Sequence, residues 1–382
     1  MRRFACFLML LFIVLCPTKL LAEELTLQGR VVDAETGEPL PYVNILVDGA
    51  TCTLSNIEGE FKLQADEEAK LTFSFVGYNK LSVQANHVSE VVKLKPYTTL
   101  MQEVTVLPLE KDDILERIID HLKQDYREAK HWTRKYFFRA MIEENTVSFV
   151  AEAFLNANSA LNIRSAEIIS GLQGYDKTSG KEQMHLNSSN IHRLIEVAPK
   201  TYKSSLWKPV VKPLHALSTT KDFYHVHFKS IQGEEGKLLY RIEFVWSQDL
   251  QPMDYNRANI TGTAYVDAET CRLLRFDGSA NNCKARMGII PISTVINFHL
   301  EYDYSQGFAS VSNLAIEGAN AFMYYRALLF ALENDEQGEG KTKASSSNIV
   351  TALEEAGYDE TLWSKYDIIR RTKEEEHAAF GK

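Results

Sequence analysis

Short apolar runs alternate with turn residues in the first part of the chain. Across residues 42–47, Val43 and Ile45 share one face of an extended segment and Asn44 lies on the other. The dipeptide Asp48-Gly49 that follows is typical of a tight turn. The same spacing recurs at Leu71, Phe73 and Phe75, at Val92 and Leu94, and at Val104 and Val106. Roughly seven short strands with turns about every ten residues predict a β-sandwich.

The period of the pattern changes after Pro108. From residue 111 to residue 130 the apolar positions recur at helical spacing, which predicts an amphipathic helix. These positions are Ile114, Leu115, Ile118, Ile119, Leu122 and Tyr126. An apolar stripe of this length must dock on another element, and we expect that element to be the sheet that follows.

Long β-rich segments dominate from residue 136 to about residue 317. They predict an antiparallel meander with a helix on one face, an α+β arrangement. The predicted strands are 136–142, 146–156, 223–231, 237–246, 259–266, 272–276, 293–304 and 308–316. Residues 171–220 are predicted to be an insertion with a short helix near 191–197. Residues 321–332 fit a helix or a last strand, and short helices are predicted near 348–356 and 373–379.

One motif links the first segment to a known family. The order G-x-V-x-D-x-x-T-G-E-P-L-P-x-V-N-I from Gly29, then Asp48-Gly49, then Asn56-x-x-Gly59-x-Phe61, resembles the carboxypeptidase-like regulatory domain. The resemblance implies a transthyretin-like β-sandwich, an accessory module found beside carboxypeptidases and at the front of many Gram-negative outer-membrane proteins. Cys52 departs from the pattern, where the family usually has Gly. No metallocarboxypeptidase catalytic domain is recognisable afterwards.

Two further resemblances concern the rest of the chain. The turn at residues 267–270 resembles a hairpin in the curved sheets of lipoprotein- and lipid-carrying half-barrels of the envelope. The stretch from Tyr358 to Ile369 resembles the tail of uncharacterised Gram-negative envelope proteins that carry the same regulatory module.

The resulting fold class is multidomain. We predict an N-terminal all-β transthyretin-like sandwich, followed by an α+β domain with a large antiparallel sheet and a short helical tail. The expected boundaries are a signal peptide at 1–22, the sandwich at 25–107, the α+β domain at 111–332 with its helix at 111–130, and a linker and helical tail at 333–382.

The first 22 residues have the pattern of a secretory signal. Arg2 and Arg3 precede an apolar run over residues 4–15, and Ala22 offers a cleavage site. Cys16 follows Leu15, where lipoprotein processing needs a small residue, so lipidation of Cys16 stays open. Removing the signal makes the formal net charge of −9 more negative still, which argues against nucleic acid as a partner. We expect a periplasmic or outer-membrane-associated protein.

Three cysteines remain after removal of the signal, at positions 52, 271 and 283. If residues 272–276 formed a hairpin with the segment after Cys283, Cys271 would lie on the order of 17 Å from Cys283, beyond disulfide reach. Free and mostly buried thiols are therefore expected, although another register would allow the pair.

His225 and His227 are the candidate metal ligands. On a strand their i, i+2 spacing puts both imidazoles on one face, and His215 or Asp222 would supply a third ligand. The alternative is a solvated strand face. The motifs G-x-S-x-G, H-E-x-x-H, C-x-x-C and G-x-G-x-x-G do not occur.

Two other groups of side chains invite a functional interpretation. Glu143, Glu144 and Glu152 would be paired carboxylates, but carboxylates on a strand usually face solvent. The aromatic residues in or beside the insertion would form ordinary core or an apolar or sugar-stacking pocket. They are Tyr202, Trp207, Phe223, Tyr224 and Trp246.

Three functions from different classes follow. The leading prediction is a non-catalytic exported envelope protein that acts as a binding or scaffolding module, with no cofactor, no metal and no catalytic residue. Its expected partner is an envelope protein or outer-membrane component, with a lipid or glycan as the candidate ligand. The alternatives are a lipid or lipoprotein carrier using a curved antiparallel sheet, and a metal-dependent hydrolase using His225 and His227.

Overall fold

A computed structural model defines most of the chain. It describes residues 24–99, 110–144, 147–159, 166–175, 224–246, 259–287, 290–319, 323–332, 342–343, 348–366 and 369–380. The protein is mostly β, with one large antiparallel sheet and few helices. The predicted signal at 1–22, with Cys16, lies outside these ranges.

Residues 24–94, called the N-terminal unit from here on, form two small sheets. The first contains β1 (Glu24–Asp33), β4 (Glu60–Asp66) and β7 (Val91–Leu94), in the order β4-β1-β7. The second contains β2 (Asn44–Val47), β3 (Ala50–Leu54), β5 (Lys70–Ser74) and β6 (Leu81–Gln84), in the order β3-β2-β5-β6.

One apolar core joins the two sheets of the N-terminal unit. Every second residue of β4 points inwards, and Phe61 meets Phe73 of β5 edge to face. Val43 and Ile45 are fully buried, as their alternation predicted. The arrangement is sandwich-like; a transthyretin-like topology stays a prediction. The strand predicted around Val104 and Val106 lies outside the described residues.

Within the described residues the large sheet contains twelve strands, and every neighbouring pair is antiparallel. Its order is β19-β11-β10-β9-β18-β17-β16-β15-β14-β13-β12-β8. The strands are β8 (Thr98–Thr99), β9 (Thr133–Glu144), β10 (Val147–Asn158), β11 (Glu167–Tyr175), β12 (Tyr224–Gln232), β13 (Leu238–Trp246), β14 (Asn259–Asp267), β15 (Leu273–Met287), β16 (Ile290–Asp303), β17 (Ser310–Ala319), β18 (Met323–Ala331) and β19 (Thr342–Lys343).

A single long helix packs on one face of this sheet. It is α1 (Lys111–Ala129), which confirms the predicted helix, and its apolar stripe joins inward side chains from both halves of the sheet. Phe138 of β9 and Phe276 of β15, four positions apart in the sheet order, belong to the same core as Ile118. Burial by this sheet, rather than helix propensity alone, holds the helix in place.

The C-terminal tail adds three short helices. They are α2 (Ile349–Ala356), α3 (Glu360–Lys365) and α4 (Lys373–Phe380). Helix α2 packs on the same face as α1, whereas Trp363 of α3 packs on Phe137 and Phe154 on the opposite face. Leu54 of the N-terminal unit joins that second core, so both faces of the sheet are covered.

Two sequence predictions need correction, one open alternative is decided, and one helix was not predicted. The hairpin considered for residues 272–276 is wrong, because β15 continues from Leu273 to Met287 and Phe276 pairs with Leu300 of β16. The predicted insertion begins too early, since β11 continues to Tyr175. Of the two alternatives left open for residues 321–332, the strand is the one observed, because Met323–Ala331 pairs with both β17 and β9. Helix α3 was not predicted; the Asp359 side chain caps its first turn.

Candidate functional site

Four ionisable side chains meet where the N-terminal unit contacts the large sheet. Arg275 and Asp277 lie on β15, and His299 and Glu301 lie directly opposite them on β16 as cross-strand partners. Phe276 and Leu300, between them in sequence, point to the α1 side of the sheet. Alternation along each strand therefore places all four polar groups on the other face.

These groups form a chain of polar contacts across the two strands. Asp277 Oδ1 lies 2.6 Å from His299 Nδ1, and Asp277 Oδ2 accepts a hydrogen bond of 2.6 Å from Arg275 Nε. His299 Nε2 faces Glu301 Oε1 at 3.6 Å, which is too long for a hydrogen bond. The other oxygen of Glu301 accepts a hydrogen bond of 3.0 Å from Asn44 Nδ2 of the N-terminal unit.

Aromatic rings of the N-terminal unit close over this cluster. The His299 ring lies 5.3 Å from the ring of Tyr42 and 5.8 Å from that of Phe75. The Arg275 guanidinium sits 4.0 Å from the Phe75 centroid and donates a 2.6 Å hydrogen bond to the Val76 carbonyl. Tyr42 holds a φ of 63°, an uncommon value for a residue with a bulky side chain. The N-terminal unit is thus attached to the sheet through specific polar and cation–π contacts.

Burial and charge separate the pKa values of the two carboxyl groups. Burial raises the pKa of Glu301, and the charges of His299 and Arg275 offset this only in part. Burial also acts to raise the pKa of Asp277, but Arg275 and His299 outweigh it and hold that pKa below its usual range. The two carboxyl groups of the cluster are therefore shifted in opposite directions, the pKa of Asp277 downwards and that of Glu301 upwards.

A cleft of about 620 Å³ opens beside this cluster, between the N-terminal unit and the sheet. It lies within the size range of small-molecule sites, roughly 300–1,000 Å³. The N-terminal unit contributes Asn44, Leu46, Thr51, Ser74 and Val76, and the other wall contributes Arg134, Glu301, Tyr302, Asp303, Ser305, Ser312, Phe330 and Ala331.

An ion pair crosses the sheet side of the cleft. Arg134 binds Asp303, and the same guanidinium nitrogen donates to Ser310 Oγ at 3.1 Å. Burial acts to raise the pKa of Asp303, but Arg134 and the hydrogen bonds from Ser305 together outweigh burial and lower that pKa. The pair is therefore ionised and close to neutral overall at pH 7.

A second buried charge cluster attaches the tail to the sheet. Glu152 accepts hydrogen bonds from Arg139 Nε at 2.6 Å and from Arg371 of the tail. Arg139 also donates to the Ile369 carbonyl at 2.5 Å, and Glu375 closes the cluster. The expectation that Glu152 faces solvent is wrong: its side chain is 1% exposed, because the tail covers it.

The predicted metal ligands lie on β12, three strands away from β15 in the sheet order. His225 and His227 are both exposed on β12 with ring centroids 6.5 Å apart, as the strand spacing predicted. Val245 and Glu243 are their cross-strand partners. Among the residues whose positions are defined, no three His, Cys, Asp or Glu side chains are arranged to hold a metal ion. His215 and Asp222 lie outside those residues.

The remaining candidate residues lie either in the core or outside the described residues. Tyr224 and Trp246 pack edge to face at 5.1 Å against the main core. Tyr202, Trp207 and Phe223 lie outside the described ranges. Cys271 is a free and buried thiol, as expected, and burial raises its pKa.

Sequence reasoning missed the cluster around His299. A signal was present, because charged residues alternate with apolar ones in the predicted strands 272–276 and 293–304. Such a pattern usually describes a solvated strand face. Here the N-terminal unit covers that face, which no local pattern reveals.

Comparisons with known proteins concern the N-terminal part of the chain. Residues 27–106 match the family model of the CarboxypepD_reg-like domain, which confirms the resemblance found in the sequence. The TonB-dependent receptor SusC of Bacteroides thetaiotaomicron is 31% identical over 105 residues, 27% of this chain and 10% of the receptor. The chain thus covers about a tenth of that relative's length. Within the described ranges, no helix has both the length and the apolar character needed to cross a membrane.

Proposed function

We propose that this protein is an exported, non-catalytic component of the bacterial cell envelope that binds a ligand between its N-terminal unit and its large sheet. The observation that carries the binding role is the cleft of about 620 Å³ with walls from both parts. Contacts such as Asn44 to Glu301 and Arg275 to Val76 preorganise it, which lowers the entropic cost of binding.

The envelope setting rests on two supports. The sequence of residues 1–22 predicts export, and residues 27–106 match a regulatory-like module that also gives similarity to a TonB-dependent receptor. The partner we expect is accordingly an envelope protein or outer-membrane component.

The test is native mass spectrometry of the mature chain, from Glu23 onwards, purified from a periplasm. A co-purified small molecule is expected, and Ser74→Trp should remove it by filling the cleft from the N-terminal side. Ser82→Trp is the matched control, because Ser82 is exposed on the same small sheet and does not line the cleft. A ligand retained equally by both variants, or no ligand in any preparation, would contradict the proposal.

The two alternatives stay predictions with their own measurements. A carrier would hold an acyl chain on the face of the sheet where α1 already buries side chains such as Ile114 and Ile119. Organic extraction of the purified protein tests this alternative. A metal-dependent hydrolase would contain stoichiometric zinc, lost on joint replacement of His225 and His227 by Ala, and elemental analysis tests it.

A further inference from the structure

We infer that the contact between the N-terminal unit and the large sheet is pH-sensitive, held by one proton that Glu301 Oε1 and His299 Nε2 share and lost to water as the pH rises. These two side chains are called the acid–imidazole pair from here on. The pair controls how the two parts of the protein are attached, whether or not the cleft between them binds a ligand.

Two buried atoms of the acid–imidazole pair face each other without a hydrogen-bond partner. Glu301 Oε1 and His299 Nε2 lie 3.6 Å apart, and neither has a partner within the described residues. The two side chains are 3% and 9% exposed, respectively. Buried polar groups in native proteins are normally satisfied. A proton on either atom would satisfy both, after an approach of roughly 0.6 Å to the usual distance of an N–H···O bond.

The other contacts of the pair direct the proton to this gap. Asp277 Oδ1 lies 2.6 Å from His299 Nδ1. Burial acts to raise the pKa of Asp277, but Arg275 and His299 hold it below its usual range, so Asp277 is an ionised acceptor. Nδ1 therefore carries a hydrogen, and Nε2 of the neutral ring is left as an acceptor. Glu301 Oε2 accepts from Asn44, which leaves Oε1 to hold the proton.

The charged groups nearest to the pair are already engaged with one another. Arg275 binds Asp277, and Arg134 binds Asp303, which follows two residues after Glu301 on β16. A charge on Glu301 would therefore depend on the imidazole for its compensation. Burial raises the pKa of Glu301 despite the nearby positive charges, which agrees with a carboxyl group that keeps its proton.

Two neutral neighbours complete the surroundings of the pair. Burial raises the pKa of Tyr42, so the ring beside His299 stays an uncharged phenol. Asn313 of β17 is the cross-strand partner of Glu301, and its side-chain amide also lacks a hydrogen-bond partner within the described residues. An N–H of Asn313 would favour the ionised carboxylate and would give the opposite pH dependence.

Loss of the shared proton would loosen the N-terminal unit. It would leave two lone pairs facing each other and a carboxylate charge away from water, which costs free energy. Water reaches that charge only if the covering side chains move aside. These are Asn44, which binds Oε2, and the rings of Tyr42 and Phe75, 5.3 and 5.8 Å from the His299 ring. Because the pKa of Glu301 is raised on folding, the contact is tight at low pH and weakens as the pH rises through the folded-state value.

The test is amide hydrogen exchange of the mature full-length chain at about pH 5 and about pH 8, the interval that spans the usual titration of histidine. Residues 42–47 and 74–78 are compared with the same residues of Glu301→Gln at the same pH, so the intrinsic exchange rate cancels. The Gln amide donates to Nε2 at either pH. We expect equal exchange at about pH 5 and several-fold faster exchange in the parent protein at about pH 8. Glu269→Gln, at an exposed position, is the control and should behave as the parent protein does.

Nuclear magnetic resonance of the parent protein locates the proton without any substitution. The carboxyl carbon of Glu301 and Nε2 of His299 should change over the same pH interval, because strongly interacting sites titrate as a pair. Separate intervals would overturn the shared proton. Exchange that stays as slow in the parent protein as in Glu301→Gln at about pH 8 would overturn the pH-sensitive contact and favour Asn313 as the partner of Oε1. Both outcomes leave the proposed function to be decided by the ligand that co-purifies in native mass spectrometry.

Discussion

At the scale of single residues, Glu301 combines deep burial with one unsatisfied oxygen. Its folded-state pKa lies above the ordinary value of 4.5, so the native state holds its proton more tightly than the unfolded chain does. The stabilising contribution is complete below pH 4.5 and is lost as the pH rises through the folded-state pKa. This pH dependence is opposite to that of an ion-paired carboxylate, whose contribution to stability is lost as the pH falls.

The first prediction follows from the pH dependence of the Glu301 contribution. Glu301→Gln cannot ionise, so it should be more stable than the parent protein at pH 7, with the difference in the free energy of unfolding narrowing towards pH 4. Urea unfolding at the two pH values measures it. The exposed Glu269→Gln is the control and should change stability little at either pH. A Gln variant that loses stability at pH 7 would contradict the prediction.

Glu152 is the opposite case among buried carboxylates. Burial acts to raise its pKa, but Arg139 and Arg371 outweigh burial and lower it. Its contribution to stability is therefore present above pH 4.5 and is lost as the pH falls through the lowered pKa. Because Arg139 is almost fully buried as well, removing one partner leaves an uncompensated charge in the core.

The second prediction is that Glu152→Gln destabilises the protein by about 3–5 kcal/mol at pH 7, as expected for breaking a buried ion pair. The loss should shrink at acid pH, where Glu152 of the parent protein becomes protonated too. Chemical denaturation monitored by circular dichroism measures both values. Asp120→Asn breaks the exposed pair with Lys123 and should cost under about 1 kcal/mol. Equal effects of the two substitutions would refute the buried role of Glu152.

At the scale of elements, α1 is the largest helical contribution to the main core. Its buried side chains touch strands from both halves of the sheet, so one helix organises a core that no strand pair could close alone. The third prediction is that Ile118→Ala destabilises the protein by about 2–5 kcal/mol, through lost burial and the cavity left behind.

The control for this substitution lies on the other side of the same helix. Glu116→Ala changes an exposed position and should alter the free energy of unfolding by no more than about 0.5 kcal/mol. Thermal unfolding of the two variants measures the contrast. If both substitutions had the same small effect on the free energy of unfolding, that result would contradict the packing of α1 on the sheet.

At the scale of the whole molecule, the contact between the N-terminal unit and the sheet depends on Arg275. The guanidinium lies between the rings of Phe75 and Tyr265, at 4.0 and 4.6 Å from their centroids, and it also binds Asp277 and the Val76 carbonyl. One side chain thus links two strands of the sheet to the N-terminal unit.

The fourth prediction is that Arg275→Ala loosens this contact. Amide hydrogen exchange in residues 42–47 and 74–78 should become several-fold faster, and stability should fall by about 2 kcal/mol or more, the range of desolvated cation–π contacts. Arg272→Ala is the matched control, because Arg272 stacks on Tyr304 and binds the Gly307 carbonyl away from the N-terminal unit. Unchanged exchange in Arg275→Ala would show that other contacts hold the two parts together.

Predictability from sequence also differs between these scales. The helix at 111–129 and the alternation at Val43 and Ile45 were predictable, because each is a local periodicity of apolar residues. The cluster of Asp277 and His299 was not, because it depends on which strands pair and in what register. A shift of one residue in β16 would turn His299 to the other face of the sheet.

Sequence alone determined the regulatory-like module at 27–106, the predominance of β-structure and the amphipathic helix, because motifs and periodicities are properties of neighbouring residues. Tertiary structure alone decided that Glu152 and Glu301 are buried and that the two walls of the cleft come from distant parts of the chain. A strand pattern tells which residues share a face, but not whether that face meets water or another part of the protein. Here the N-terminal unit and the tail cover it, and so polar side chains that resemble a solvated surface become the buried groups of a candidate site.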